Sequence, residues 1–183
     1  MKYYKEISLK DGRKCILRIG KAEDSKAVLD NYILTHEQSD DLANYPDEIN
    51  ITLEMEERYL VSRENSENEL ELLAEVDGCV VGLAAVNRLG SYYKVKHRAS
   101  FGISIDEAYW GLGIGRAMLE ACIECAKKAG YSQLELEVVG DNQRAIKLYE
   151  SEGFIRFGSN PRGFNSRSRG YLELVSMRKE LDQ

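Results

Sequence analysis

Residues 98–139 change hydrophobic period twice, and that change restricts the folds open to this chain. Residues 98–105 read as a strand, 113–129 as a long helix and 134–139 as a second strand. Two strands that share one core across an intervening helix must run parallel through a crossover. The helix carries Ile114, Ala117, Met118, Ala121, Cys122, Cys125 and Ala126 at spacings of three and four. Lys127 and Lys128 fall where the helix dipole favours cations, and Gly130 supplies the stop.

Elsewhere the turn signals make hairpins. Asp11-Gly12 lies between apolar-alternating runs at 5–9 and 15–19, and Asp77-Gly78 between runs at 70–76 and 79–86. Both read as two-residue hairpins. Helices are expected at 22–35 and 52–64, and a shorter one from Gln143 to Glu152, stopped by Gly153. Phe154–Phe157 reads as a strand, 158–170 as a polar loop and 171–179 as the last strand. The expected order is β-β-α-α-β-β-β-α-β-α-β-β. That is an α/β (α+β) fold: a mixed, mostly antiparallel central sheet with one parallel strand pair and helices on both faces.

A length of 183 residues with only two Pro and no linker-like tract is one domain's worth, so a single domain over 1–183 is expected. The formal charge of −6 argues against a nonspecific nucleic-acid binder, which needs a basic surface to displace counterions. No apolar run reaches membrane-spanning length, and the first residues do not read as a signal peptide. A cytoplasmic protein with no membrane or nucleic-acid partner is therefore expected. Cys122-x-x-Cys125 lies inside the long helical run with no second Cys or His pair at zinc spacing, so both cysteines read as core and no metal is expected.

The segment Tyr109-Trp110-Gly111-Leu112-Gly113-Ile114-Gly115-Arg116 joins the first strand of the crossover to its helix. Alternate glycines let the backbone turn tightly and approach a ligand without a Cβ in the way. The free amides of the first helical turn, aided by the dipole, suit a phosphate or pyrophosphate. A P-loop would need Lys-Ser/Thr after the last glycine, where Arg116-Ala117 stands, and the G-x-G-x-G spacing does not fit a dinucleotide fingerprint.

Together with Phe101-Gly102-Ile103-Ser104-Ile105, this loop and its helix resemble the cofactor motif of the GNAT acyltransferase superfamily, written Gln/Arg-x-x-Gly-x-Gly/Ala. Gly113 and Gly115 fill the glycine positions, and Trp110 stands where Gln or Arg is customary. A second block, from Asn142 through Ala145 and Tyr149 to Gly153-Phe154, resembles the family's Asn-x-x-Ala-x-x-x-Tyr-x-x-x-Gly-Phe run. The resemblance implies a GNAT-like sheet whose parallel strands splay apart, with acetyl-CoA as cosubstrate in the gap.

Carried over residue by residue, it implies that Ile103, Ser104 and Ile105 line the pantetheine arm. Main-chain groups of Ile103 and Ile105 would hold that arm, and Gly102 would mark a bulge or be an ordinary strand glycine. The amides of Gly111, Leu112, Gly113, Ile114, Gly115 and Arg116 would hold the pyrophosphate. Asn142 and Ala145 would line the far side, and Tyr149 would act toward the departing thiolate, as a strengthening hydrogen bond or through a lowered pKa.

The implied reaction is direct acetyl transfer to a primary amine of a small molecule or protein, cationic before it reacts. A noncatalytic acyl-CoA sensor of the same fold is the alternative reading. A lysine-like amine is neutral in roughly one part in 2,500 at pH 7, so a proton acceptor is required. Glu75 and Glu107 are both available, and neither is assigned. Acceptor contacts are expected from 37–45, including Asp40-Asp41, from 91–94 with Tyr92-Tyr93, and from 162–165. Exposed strand edges and relatives suggest a homodimer.

Overall fold

Turn chemistry and the two periodicities produce the elements. In the computed structural model, which describes residues 1–181, four α-helices and eight strands follow the expected order. The strands are β1 (Tyr4–Ser8), β2 (Lys14–Ile19), β3 (Leu70–Val76), β4 (Cys79–Arg88), β5 (Arg98–Ile105), β6 (Gln133–Val139), β7 (Ile155–Ser166) and β8 (Gly170–Glu180). The helices are α1 (Ser25–Gln38), α2 (Leu53–Glu64), α3 (Ile114–Lys128) and α4 (Gln143–Ser151). They build one sheet in the order β1-β2-β3-β4-β5-β6-β8-β7, antiparallel throughout except for β5 and β6. No helix among the described residues is long and apolar enough to cross a membrane.

The two Asp-Gly turns differ. Asp77 and Gly78 both take positive φ, +52° and +79°, giving a two-residue turn that matches the strand twist. At the first hairpin only Gly12 does, at +90°. There the amide of Leu9 donates to the Arg13 carbonyl at 2.8 Å and that of Gly12 to Leu9 at 3.0 Å. A longer turn closed by a left-handed glycine replaces the expected two-residue one.

Alternation along β3 assigns the faces. Leu70, Leu72, Ala74 and Val76 pack with Met118, Leu119, Cys122 and Cys125 of α3 in the larger core. Leu73 turns the other way, with Leu83, Val28 of α1 and Leu60 of α2. Helices therefore cover both faces, and the two cysteines of α3 are buried core. Burying a side chain the size of Leu119 is worth about 1.5–3 kcal/mol, and its position inside α3 ties that helix to the sheet.

Besides that turn, one expectation fails. β7 runs on to Ser166, through most of the segment expected to be loop. It is an exposed edge strand, so no apolar alternation marks it, and pairing with β8 defines it instead. Pro161 sits inside its second register shift, between Asn160 and Phe164, where no ladder donor is needed. Of the two readings of Gly102, the ordinary strand glycine holds: β4 and β5 pair without a register shift from Gly82–Ile105 to Arg88–Ala99.

Candidate functional site

The sheet is incompletely closed at its parallel pair. β5 and β6 share only Arg98–Gln133, Ala99–Leu134 and Ser100–Glu135. Beyond them β6 stays with β8 as far as Val139, while β5 stays with β4, so the two strands diverge. The amide of Leu89 donates to Arg98, and that of Asp106 to Val81 of β4. By alternation, Ser100, Gly102 and Ser104 face β4 with their main chain, and Phe101, Ile103 and Ile105 face the gap. The main-chain groups of Ser104 thus belong to the β4 ladder. The carbonyl of Ile105 is partly committed as well, because the indole of Trp110 donates to it at 2.7 Å.

At the mouth of the gap Gly111 and Gly113 have φ of +79° and +101°, the left-handed region that favours glycine. A Cβ on either would meet no protein atom within 4 Å, so the space beside the backbone is open. Gly113 caps α3, and the first helical hydrogen bond is donated by Ala117 to Gly113 at 3.2 Å. The amides from Gly111 to Arg116 donate to no main-chain acceptor among the described residues. The first turn of α3 carries no acidic side chain to compete for them. Lys10 and Arg144 flank the mouth, the Arg144 guanidinium stacked 3.7 Å from the Trp110 ring centre. The Arg116 side chain instead turns to Glu152 and to Ser151 Oγ. Only its amide remains for the cleft.

These groups line one cleft of about 880 Å³. Ile103, Ser104, Ile105, Gly111, Gly113, Ile114, Gly115, Arg116, Asn142, Ala145 and Tyr149 all border it. Leu112 does not: its carbonyl accepts from the Lys10 amide at 3.2 Å and its side chain packs on the core. Asn142 also caps α4, its Oδ1 accepting from the Ala145 amide at 3.1 Å. Tyr149 is 7% exposed, edge-on to Phe101 and tilted against Phe154. Burial alone pushes its hydroxyl up to about 12. Of the two expectations for this residue, the lowered pKa is therefore corrected: nothing charged nearby offsets desolvation.

A second cavity, of about 400 Å³, lies across the sheet under α1 and α2. Leu42, Ala43, Gly102, Ile103 and Ser104 line both cavities, so the two meet at β5. Glu71 of β3 and Glu56 of α2 border the second one. Tyr59 donates to Glu71 Oε2 at 2.9 Å, and burial lifts the Glu71 carboxyl to about 7. Sequence reasoning considered Glu75, which instead pairs with Arg18 at 2.9 Å, and passed over Glu71. The available signal was a carboxylate in phase with Leu73 in the first half of a strand whose only other polar residue is Glu75.

Of the segments expected to meet an acceptor, 37–45 supplies Ser39, Asp41, Leu42 and Ala43, and 162–165 supplies Phe164. Tyr92 and Tyr93 are 82% and 83% exposed and border neither cavity. Asp40 is engaged elsewhere, accepting from Ser166, Ser168, Tyr45 and Arg169.

Comparison with known proteins agrees with this geometry. A sequence model of the acetyltransferase (GNAT) family matches residues 32–154. The structure of a GNAT-family acetyltransferase from Streptococcus pneumoniae superposes with a TM-score of 0.86 at 28% identity, covering 91% of this chain and 99% of that one. The N-alpha-acetyltransferase RimI of Mycobacterium tuberculosis is 38% identical over 85 residues, 46% of this chain and 51% of that protein. The L-amino acid N-acyltransferase MnaT of Escherichia coli is 26% identical over 112 residues, 61% and 64% of the two. The chain spans less than two thirds of the length of either curated relative.

Proposed function

The chain belongs to the GNAT acetyltransferase family, and on that premise we propose that it is an acetyl-CoA-dependent N-acetyltransferase. It would move an acetyl group directly from the thioester to a primary amine. The observation that carries this reading is the run of unpartnered amides from Gly111 to Arg116, opening onto a strand edge that β6 leaves unpaired. The amides, with Lys10 and Arg144, suit a diphosphate. The carbonyl of Ile103 and the amide of Ile105 suit the amide-rich pantetheine arm, which can lie along β5 as an added strand. Asn142 and Ala145 would border the opposite side of that arm.

In the transfer the amine nitrogen bonds the carbonyl carbon, the C–S bond breaks, and the sulfur leaves as coenzyme A thiol. The Ile103 amide, on the gap side of β5, would donate to the carbonyl oxygen as its charge grows. Tyr149 would stand by the sulfur. A hydroxyl near 12 facing a thiol near ~8.5 makes full proton transfer uphill by about 5 kcal/mol. Tyr149 would therefore stabilise the thiolate as a hydrogen-bond donor while solvent delivers the proton. By their names, one of these relatives acetylates an alpha nitrogen and the other acylates the nitrogen of L-amino acids, which goes with an amine acceptor here. A cytoplasmic setting, where acyl-CoA thioesters are made, goes with this reading.

The test is thermal unfolding with acetyl-CoA, NADH and ATP in separate wells. Ligand at a hundred times its Kd adds about 2.7 kcal/mol, a rise of roughly 5–10 °C for a domain of this size. A rise with acetyl-CoA alone, followed by amine-dependent thiol release, supports the enzyme. Binding without thiol release from any primary amine would leave a sensor, and no rise with acetyl-CoA would end the proposal.

A further inference from the structure

The chamber under α1 and α2 has walls that the cofactor reading does not use. Register places Glu71 opposite Ala85 and Ala85 opposite Gly102. One row across the sheet thus carries a carboxylate, a methyl group and no side chain at all. A Cβ at Gly102 would meet nothing within 4 Å. These small residues leave a lane of two strand spacings, roughly 9–10 Å, from the Glu71 backbone to β5 beside the cofactor cleft.

The charges in this lane are one-sided. Glu56 is 7% exposed and has no hydrogen-bond or ion-pair partner among the described residues; burial alone raises its carboxyl. Glu71 is equally buried and accepts from Tyr59. From α1, Tyr32 and His36 face the chamber, with His36 Nδ1 2.7 Å from the Tyr32 carbonyl and burial favouring the neutral ring. From α2, Arg63 sits over the Tyr59 ring and pairs with Glu69 at 2.9 Å, outside the lining. No Lys or Arg borders the chamber among the described residues. A buried carboxylate without a partner is expensive, and a cationic ligand removes that expense. A free amino acid would set its own carboxylate against two others and find no cation. Val28 and Leu83 supply apolar wall for methylenes, and Tyr32 and Tyr59 supply ring faces for an ammonium.

We propose that this chamber selects a compact aliphatic diamine as acceptor, one ammonium seated between Glu56 and Glu71 and the other nitrogen presented at Gly102–Ser104. The inference rests on the acetyltransferase reading above. The Glu71 side chain stands off the sheet above its end of this row, and a lane of roughly 9–10 Å admits a short acceptor such as a four-carbon diamine, whose nitrogens are about 6 Å apart. The reacting ammonium gives one proton to solvent before it attacks the carbonyl carbon; as the C–S bond breaks the nitrogen loses a second proton, which solvent passes to the departing thiolate, and the distal ammonium is unchanged.

Three acceptors of one chain length separate the possibilities: 1,4-diaminobutane, butylamine and 4-aminobutanoate, which differ only in the far end. With saturating acetyl-CoA, kcat/KM for diaminobutane is expected at least thirtyfold above butylamine and higher still above 4-aminobutanoate. Glu56→Gln and Glu71→Gln should each cut the diamine preference at least tenfold, mainly through KM, with the acetyl-CoA Kd within twofold and Tm not lowered. Equal or greater activity on 4-aminobutanoate or butylamine, an unchanged preference in the variants, or no turnover of any of the three while acetyl-CoA binds overturns the inference. Calorimetric titration of diaminobutane decides the chamber apart from catalysis: binding weakened in both variants supports it, and no binding to the wild type refutes it. Failure of acetyl-CoA itself to bind instead defeats the acetyltransferase reading.

Discussion

Glu71 and Glu56 are a burden on the empty protein. Folded Glu71 keeps its proton to about pH 7, whereas the unfolded chain releases it near 4.5, so the native state binds more protons between those values. Stability therefore falls as pH rises through that window and levels off above it, a loss of about 3 kcal/mol for this group. Glu71→Gln, which retains an acceptor for Tyr59, is expected to flatten that slope and raise Tm at pH 8 by about 5 °C, read by unfolding scans at pH 5 and pH 8. Tyr149→Phe should lower kcat at least tenfold while the acetyl-CoA Kd changes less than twofold. An unchanged kcat would leave Tyr149 as packing against Phe101 and Phe154. Tyr149 was legible in the sequence because it stands in a spaced motif. Glu71 was not, because it and Glu75 look alike along β3, and only the helix α2 lying over Glu71 tells the buried carboxylate from the one paired with Arg18.

Among the elements, the glycine turn and the α1–α2 connection shape the site in different ways. Gly113→Ala forces a left-handed side chain, about 1–2 kcal/mol of strain, and aims a methyl group into open cleft. The expected result is a Kd for acetyl-CoA raised at least tenfold with Tm down only a few degrees. The connection is held by a clasp: Asp40 accepts from Ser166 at 2.6 Å, Ser168 and Tyr45 at 2.8 Å and Arg169 at 3.1 Å. Arg169 also reaches Asp41 at 2.6 Å. These bonds hold the Asp40 carboxyl far below its ordinary range, so the clasp's contribution is complete above about pH 4 and is lost only as pH falls through that depressed value. Asp40→Ala should speed hydrogen exchange over residues 39–48 and raise KM for the amine without weakening acetyl-CoA. The sequence showed Asp40 and Asp41 as loop acids that could greet a cation. It hid their partners because β7 is exposed, and only its ladder with β8 brings Ser166 and Arg169 within reach.

At the level of the whole molecule the element order could be read in advance, since Asp-Gly turns and a shift of period mark most boundaries locally. The joining of two cavities could not, because it depends on the register of β3, β4 and β5 together and on what stays small along one row. Acetyl-CoA is expected to slow amide exchange at Ile103 and from Gly111 to Arg116 while exchange in β1 and β2 is unaltered, as mass-spectrometric mapping would show. The protein's half-finished seam has a wider meaning. Where β5 and β6 touch at only three residue pairs, the sheet resembles two panels on a short hinge. If acetyl-CoA fills the opening as proposed, it adds a ninth plank, and a spent or missing thioester then changes the stiffness of the scaffold as well as the supply of reagent.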